Sequence, residues 1–283
     1  MNKREFKFLE SEFNELRELV YKRAGISLTD KKEQMVYTRL ARRIRALGLA
    51  DFAEYLAFLT SKEGDVEATD FVNAMTTNLT RFFREDHHFH HLRHDVLKAR
   101  VEENRAGLCD KNISIWSAGC SMGMEPYSIA MTVKASLPRG KGWFTRILAT
   151  DIDTNMLNKG RSGLYSARDS EGIPKALEDR FVKRSGDEVQ MSQELKEMIQ
   201  FKYLNLMESW PIKKKFDAIF CRNVMIYFDQ ETQQRLVGRF VELLSDQGVL
   251  YVGHAESRVA DHPALVTVGR STFRVKSSVQ GAT

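Results

Sequence analysis

Two glycines and two carboxylates in the middle of the chain have the types and spacing of a nucleoside-binding site. Ile113-Ser114-Ile115-Trp116 reads as a short strand, Gly119 and Gly123 follow it, and a helical pattern covers about 126–136. A glycine-rich turn after the first strand of an open sheet lets a ligand approach the backbone. The spacing here is weaker than G-x-G-x-x-G and equally describes a plain tight connection. The next strand, Arg146-Ile147-Leu148-Ala149-Thr150-Asp151, ends in a carboxylate placed to accept hydrogen bonds from both hydroxyls of a ribose. Asp153 stands just before Thr154 and is better suited to cap the following helix. Glu125 falls in the first turn after the glycines, where it would repel a pyrophosphate and suit a cationic ligand. S-adenosylmethionine carries an ammonium and a sulfonium but no phosphate, so the sign of Glu125 favours methyl transfer over hydride transfer. Asn223 follows a later strand at its carboxyl end, where open α/β sheets bind ligands, and could contact the methionine portion or the adenine edge. No Asn/Asp-Pro-Pro-aromatic tetrapeptide, common in nucleic-acid amino-methyltransferases, follows it. A carboxylate acceptor needs no such device, being already an anionic nucleophile at neutral pH.

The elements that must position these groups fall into two halves. Phe6, Leu9, Phe13, Leu16, Leu19 and Val20 recur at helical spacing up to a stop at Gly25. Further helices are expected from the cap Thr29-Asp30 to about Leu47 and Gly48, over about 51–59, and over about 65–78. From Asn112 onward strands alternate with helices: a helix from about Thr154, a strand at 216–221, a helix at about 229–244 and a strand at 249–253. That alternation implies right-handed βαβ units and an α/β doubly wound parallel sheet. Three short strand patterns, at 181–184, 188–191 and 201–204, suggest a small antiparallel β insertion at about 178–204, with Ser185-Gly186-Asp187 as a hairpin turn. The expected organisation is an all-α N-terminal subdomain over 1–78, a linker and helix over 79–111, and the α/β domain over 112–283.

Composition narrows the class. The chain has 283 residues, 42% of them apolar and 29% charged, which suits a globular protein with a full core. No run approaches the roughly 20 apolar residues of a membrane helix, and the charged N-terminus has no signal core, so a cytoplasmic protein without membrane insertion is expected. Cys109, Cys120 and Cys221 are far apart and form no C-x-x-C pair, which argues against structural zinc and disulfides. Of seven histidines, five (His87, His88, His90, His91 and His94) crowd together, and His87/His91 have metal-ligand spacing. No cysteine or H-E-x-x-H pattern accompanies them, and a helix-surface or linker role is expected rather than a metal site. The net charge of +5 points to an anionic partner, nucleic acid or acidic protein. Arg39, Arg42 and Arg43 share a face of the second helix, near Lys31, Lys32 and Arg45, and would suit docking of an acidic helix. A merely solvated face is the plainer alternative.

Several motifs then converge. The run Met75-Thr76-Thr77-Asn78-Leu79-Thr80-Arg81-Phe82-Phe83-Arg84-Glu85 resembles the signature of the chemotaxis receptor methyltransferases, the CheR family. So do Glu125-Pro126-Tyr127-Ser128-Ile129-Ala130, Thr150-Asp151-Ile152-Asp153-Thr154, Phe220-Cys221-Arg222-Asn223-Val224-Met225-Ile226-Tyr227-Phe228, and Gly253-His254-Ala255-Glu256-Ser257. The resemblance covers nearly the whole chain. It implies a Rossmann-like class I methyltransferase that uses S-adenosyl-L-methionine, releases S-adenosyl-L-homocysteine, and esterifies glutamates on the helical bundle of chemoreceptors. Asn78, Thr80 and Arg84 would then reach the donor, Glu125 its ammonium and Asp151 its ribose. Asn205, Leu206, Asn223 and Val224 would flank the adenosine, with Arg84 and Tyr227 beside the methyl group. Plainer roles are a surface salt bridge from Arg84 to Glu85 or Asp86, and core packing for Tyr227.

Two departures from the family pattern matter. Ser121-Met122-Gly123-Met124-Glu125-Pro126 stands where relatives often have Ser-Thr-Gly-Glu-Glu-Pro, which leaves the contacts behind Glu125 open. The hairpin is also shorter than in relatives whose insertion grips a peptide at the receptor tail, so independence from such a peptide is expected. Rival readings are a regulatory module that only senses S-adenosylmethionine, and an RNA or small-molecule methyltransferase. Missing RNA-binding signatures count against RNA.

Overall fold

The computed structural model describes residues 4–140, 142–256, 259 and 261–276. Ser257 of the last motif lies outside them. The N-terminal half is helical, as its periodicity requires. In α1 (Glu10–Ala24), Phe13, Leu16, Val20 and Ala24 form the buried stripe, and Gly25 ends the helix at φ +71°. In α2 (Glu33–Leu47), Val36, Leu40 and Ile44 are fully buried at the same spacing. Asp51 caps α3 (Phe52–Thr60) by accepting from the Glu54 N–H at 2.9 Å. The fourth helix, α4 (Asp65–Met75), stops three residues short of the expected end, and Arg39 donates to the carbonyls of Ala74 and Thr76 just there.

A helical stretch then leads into the second half: α5 (His87–His91), a π-helical segment (Leu92–Leu97) and α6 (Lys98–Arg105). The order continues with β1 (Asn112–Ala118), α7 (Met124–Ser136), β2 (Phe144–Asp151), α8 (Thr154–Ser162), β3 (Leu164–Ser166), α9 (Lys175–Phe181), β4 (Val182–Ser185) and β5 (Glu188–Met191). It closes with α10 (Gln193–Lys196), β6 (Ile199–Tyr203), β7 (Phe216–Cys221), α11 (Gln230–Leu243), β8 (Leu244–Val252), β9 (Leu265–Gly269) and β10 (Thr272–Val275).

Seven strands form the main sheet in the order β6-β2-β1-β7-β8-β10-β9. The first five are parallel, and β10 is antiparallel to both β8 and β9. Apolar cores lie on both faces, one around Tyr127, Ile129 and Phe220 and one around Trp116, Phe240 and Leu250. The chain leaves β1 toward β2 on one side and returns to β7 on the other, so strand order reverses at the carboxyl end of β1. Ligands of open α/β sheets bind at such a reversal.

Two details differ from the sequence reading. The small antiparallel sheet is β3-β5-β4, and residues 201–204 do not belong to it. Instead β6 extends the main sheet beside β2, Ile147 pairing with Ile199 and Asp151 with Tyr203. A short amphipathic strand has the same alternation in a hairpin or on a parallel edge, and β3, at three residues, is too short to show a period. The histidine cluster is not a plain helix surface. His88 is fully buried, its pKa pushed down to about 2 mainly by burial, and its Nε2 lies 3.3 Å from the Arg270 carbonyl. His91 Nδ1 lies 2.9 Å from the Tyr251 hydroxyl, so these rings pack the helix onto the sheet.

The helical subdomain is pinned by one ion cluster. Arg43 binds Glu67 through two hydrogen bonds of 2.9 and 2.6 Å and Asp70 at 2.7 Å, while the buried Tyr55 hydroxyl donates to Glu67 at 2.9 Å. Glu67 is 4% exposed. Removing Arg43 strands this carboxylate away from water. Arg43→Ala is expected to lower the unfolding free energy by about 3 kcal/mol, as read by urea denaturation.

Candidate active site

A cavity of about 300 Å³ lies over the carboxyl ends of β1, β2 and β7, walled on its open side by residues 75–81 and by Ala24 and Ile26 of the helical subdomain. Asn78, Thr80, Arg84, Glu125, Asp151, Asn205, Leu206, Asn223, Val224 and Tyr227 all line it. They come from five separate chain segments, and the fold brings all of them to one place.

Asp151 ends β2 and is nearly buried. Its carboxylate accepts from the N–H groups of Ser121 (2.7 Å) and Asp153 (2.8 Å), which fix it while leaving lone pairs free. Burial pushes its pKa up to about 6. Asp153 caps α8 as expected, accepting from the N–H groups of Asn155 and Met156. It also accepts from Thr76 Oγ1 (2.7 Å) and Asn78 Nδ2 (2.8 Å), which holds the linker on the rim of the cavity.

Glu125, in the first turn of α7, accepts from Ser117 Oγ at 2.7 Å and from Arg222 Nη1 at 2.9 Å. Arg222 also meets Glu85 at 3.2 Å and donates to the Arg84 carbonyl. Its side chain is only 2% exposed. Two carboxylates against one guanidinium leave one net negative charge, and burial drives the Glu125 pKa up against the pull of Arg222. A cation entering here relieves the imbalance. The arrangement is suited to an ammonium and hostile to a pyrophosphate.

The glycines act differently from the simplest expectation. At Gly119, φ +78°, a Cβ would lie 2.3 Å from a Val224 methyl, and at Gly123, φ +90°, it would lie 2.8 Å from Gly160. Both therefore serve close packing of wall elements, while Gly119 also faces the cavity. Among the described residues five non-glycine residues have φ in the left-handed region. Phe83 and Glu85 flank Arg84, and Ser121 and Asn223 are cavity lining, so four of the five lie at this site, where backbone strain concentrates.

Arg84 is half-buried, and among the described residues its side chain donates to the Leu79 carbonyl alone, at 2.9 Å. It makes no ion pair with Glu85 or Asp86, so most of its donors remain open. Arg39 and Arg43 are engaged inside the subdomain, by the α4 carbonyls and by Glu67 and Asp70, because an arginine on a half-buried helix face satisfies nearby acceptors first. Arg42 is exposed and has no ion-pair partner among the described residues.

Arg222 and Glu85 were not singled out from sequence. The available signal was a charged side chain directly after the all-buried end of β7, a position where only a paired charge is tolerated.

The residues fit S-adenosylmethionine on chemical grounds: an unsatisfied negative charge, a fixed carboxylate at the end of β2, apolar walls at Leu204, Leu206 and Val224, and a buried Asn223 Oδ1 with no hydrogen-bond donor. Fold and cavity together define a class I S-adenosylmethionine-dependent methyltransferase. The chain belongs to the CheR family: residues 78–273 match the CheR methyltransferase SAM-binding domain and residues 11–76 its all-alpha domain. It is 41% identical over 277 residues to chemotaxis protein methyltransferase 2 of Pseudomonas aeruginosa, covering 95% of this chain and 94% of that one. It is 45% identical over 253 residues to the chemotaxis protein methyltransferase of Escherichia coli, covering 88% and 85%. To that of Borreliella burgdorferi it is 39% identical over 249 residues, covering 87% and 88%.

With Asp151 as the ribose acceptor, hydroxyls donating to it would favour its ionised form and lower its pKa on binding. Affinity for S-adenosylhomocysteine should be flat above pH ~7 and fall by up to about tenfold per unit below pH 6. The free fold runs the other way, gaining stability as pH drops from about 6 toward the unfolded value near ~3.9, because the folded carboxyl binds its proton more tightly. Calorimetric titrations across this range, with Asp151→Asn losing both affinity and much of the slope, check the assignment.

Proposed function

We propose that the protein transfers the methyl group of S-adenosylmethionine to glutamate side chains of bacterial chemoreceptors, forming methyl esters in the cytoplasm. The observation that carries the acceptor chemistry is the state of the lining side chains. Among the described residues the lining holds no histidine, and its two carboxylates are both assigned to the donor, Glu125 beside Arg222 to the ammonium and Asp151 to the ribose. An amine or hydroxyl acceptor must lose a proton, and among the described residues no base left over from donor binding lines the cavity to take it. A carboxylate has none to lose. The relatives' names, chemotaxis protein methyltransferases, support the same reading.

S-adenosylmethionine supplies a methyl group on a positively charged sulfur, open to in-line displacement. The protein's task is then placement, with the incoming carboxylate oxygen held about 3 Å from the methyl carbon. Arg84 offers open guanidinium donors to one carboxylate oxygen, and the Tyr227 hydroxyl offers another. Glu125 takes the ammonium, Asp151 the ribose, and Asn205, Leu206, Asn223 and Val224 surround the adenosine. Asn78 and Thr80 close the wall above.

Docking of an acidic receptor helix falls to Arg42, with the exposed Lys31 and Lys32 on the same helical region. Arg39 serves differently, holding the Thr76–Thr77 wall of the cavity while lying within electrostatic range of Tyr227. The tight turn at Gly186 and Asp187 between β4 and β5 gives the small sheet little reach, and the enzyme works on the receptor body without a tail peptide.

Labelled methyl transfer to receptor fragments, read as base-labile ester, tests the reaction. Label in RNA or no transfer would refute it. Arg84→Ala should lower kcat by about 10²-fold or more while S-adenosylhomocysteine still binds. Arg42→Glu should raise the KM for receptor several-fold at low salt and leave kcat unchanged. A receptor-tail pentapeptide should give no heat of binding, and tight binding would overturn tail independence.

A further inference from the structure

Glu256 is a buried carboxylate that the chemistry above does not use. It is 3% exposed and stands thirty-odd residues beyond the loop it touches. That loop has an unusual backbone. After β7 ends at Cys221, Asn223 takes φ +59°, Val224 follows at φ −113°, and a 3₁₀ turn spans Met225–Tyr227. Such a turn leaves several consecutive N–H groups without a strand or helix partner. Glu256 takes all of them. Its Oε1 accepts from Val224 (2.9 Å), Met225 (2.8 Å) and Ile226 (3.3 Å), and its Oε2 accepts from Asn223 (2.9 Å) and Gly253. Five N–H groups converging on one carboxylate form a small anion nest, filled by the protein's own side chain.

Gly253 completes the fit. A Cβ there would lie 2.4 Å from Asn223 Nδ2 and 2.8 Å from Asn223 N, so the backbone of 253 presses directly on the loop. The same loop delivers Asn223, Val224 and Tyr227 to the cavity. Its far end is held by Gln233 Nε2, which donates to the carbonyls of Met225 (3.0 Å) and Phe228 (2.9 Å), and by the Ser27 N–H on the Tyr227 carbonyl (2.8 Å). Glu256 supplies the hydrogen bonds to the part that carries Asn223 and Val224.

We infer that Glu256 is a positioning residue for the methyl-transfer site: by collecting the N–H groups of residues 223–226 it sets where Asn223 and Val224 meet the nucleoside and where Tyr227 stands beside the reacting methyl. The inference rests on the cavity being the S-adenosylmethionine site and is independent of which acceptor is methylated.

Glu256→Gln in the full chain separates this role from plain stabilisation. The amide keeps the shape but offers one acceptor oxygen where the carboxylate offers two, so either the Asn223 side or the Val224–Ile226 side loses its partner. Calorimetry with S-adenosylhomocysteine and thermal melting are read together. The expected result is a folded variant that binds at least tenfold more weakly, with KM for S-adenosylmethionine raised and kcat lowered. A lowered melting temperature with affinity and kcat within twofold of the unaltered protein would overturn the inference, since a structural role alone leaves the folded site intact. Should Glu256→Gln fail to fold, Glu256→Asp, which keeps the charge one methylene shorter, is read on the same scale. If the unaltered protein itself did not bind S-adenosylhomocysteine, the site assignment would fall first, and the inference with it.

Discussion

A guanidinium sealed from water organises the whole cavity. Arg222 is expensive to bury, and it persists because Glu125, Glu85 and the Arg84 carbonyl all turn toward it. Glu125 stands at the start of α7, Glu85 and Arg84 in the strained loop after the helical subdomain, and Arg222 itself directly after β7. One buried charge thus fixes three walls relative to one another. It also gives the Glu125 corner of the cavity its sign, because two carboxylates share Arg222 there and one negative charge is left over. The same cluster reaches the acceptor side, since the backbone of Arg84 is held by Arg222 while its side chain points its donors elsewhere.

The helical subdomain is part of the site and more than an appendage. Thr76 and Asn78 bind Asp153, Arg39 holds the carbonyls that turn the chain into the wall, and Asn205 Nδ2 donates to the Arg23 carbonyl at 2.7 Å. The Tyr21 hydroxyl reaches Asp229 at 2.7 Å, ahead of α11. All but the Arg39 bonds cross between the two halves, so the subdomain closes one side of the cavity. A reaction that depends mainly on placement gains from such closure.

Much of this was legible in the sequence, and the limits have a common physical cause. Helix faces, the strand–helix alternation, Asp151 at the end of β2 and Asp153 as a cap are local patterns, readable from period and position. Partners distant in sequence are not. Arg222 meets Glu125 across 97 residues, and Arg43 finds Glu67 across 24, so a basic face that read as free for docking proved half committed. Residues 201–204 had the right period and the wrong neighbour. Glu256 was visible only as one letter of a motif, and its role depends on backbone N–H groups that no sequence pattern displays.

Recognition of a cationic ligand depends on the unbalanced negative charge beside Arg222. Calorimetry with S-adenosylhomocysteine and its desamino analogue, against the unaltered protein and Glu125→Gln, isolates that charge. The expected result is that losing the ligand's ammonium weakens binding by about 10²-fold in the unaltered protein, in the range of a desolvated charge pair, and by only a few-fold in Glu125→Gln. Equal losses in the two proteins would contradict it, and would mean that Glu125 serves Arg222 and not the ligand.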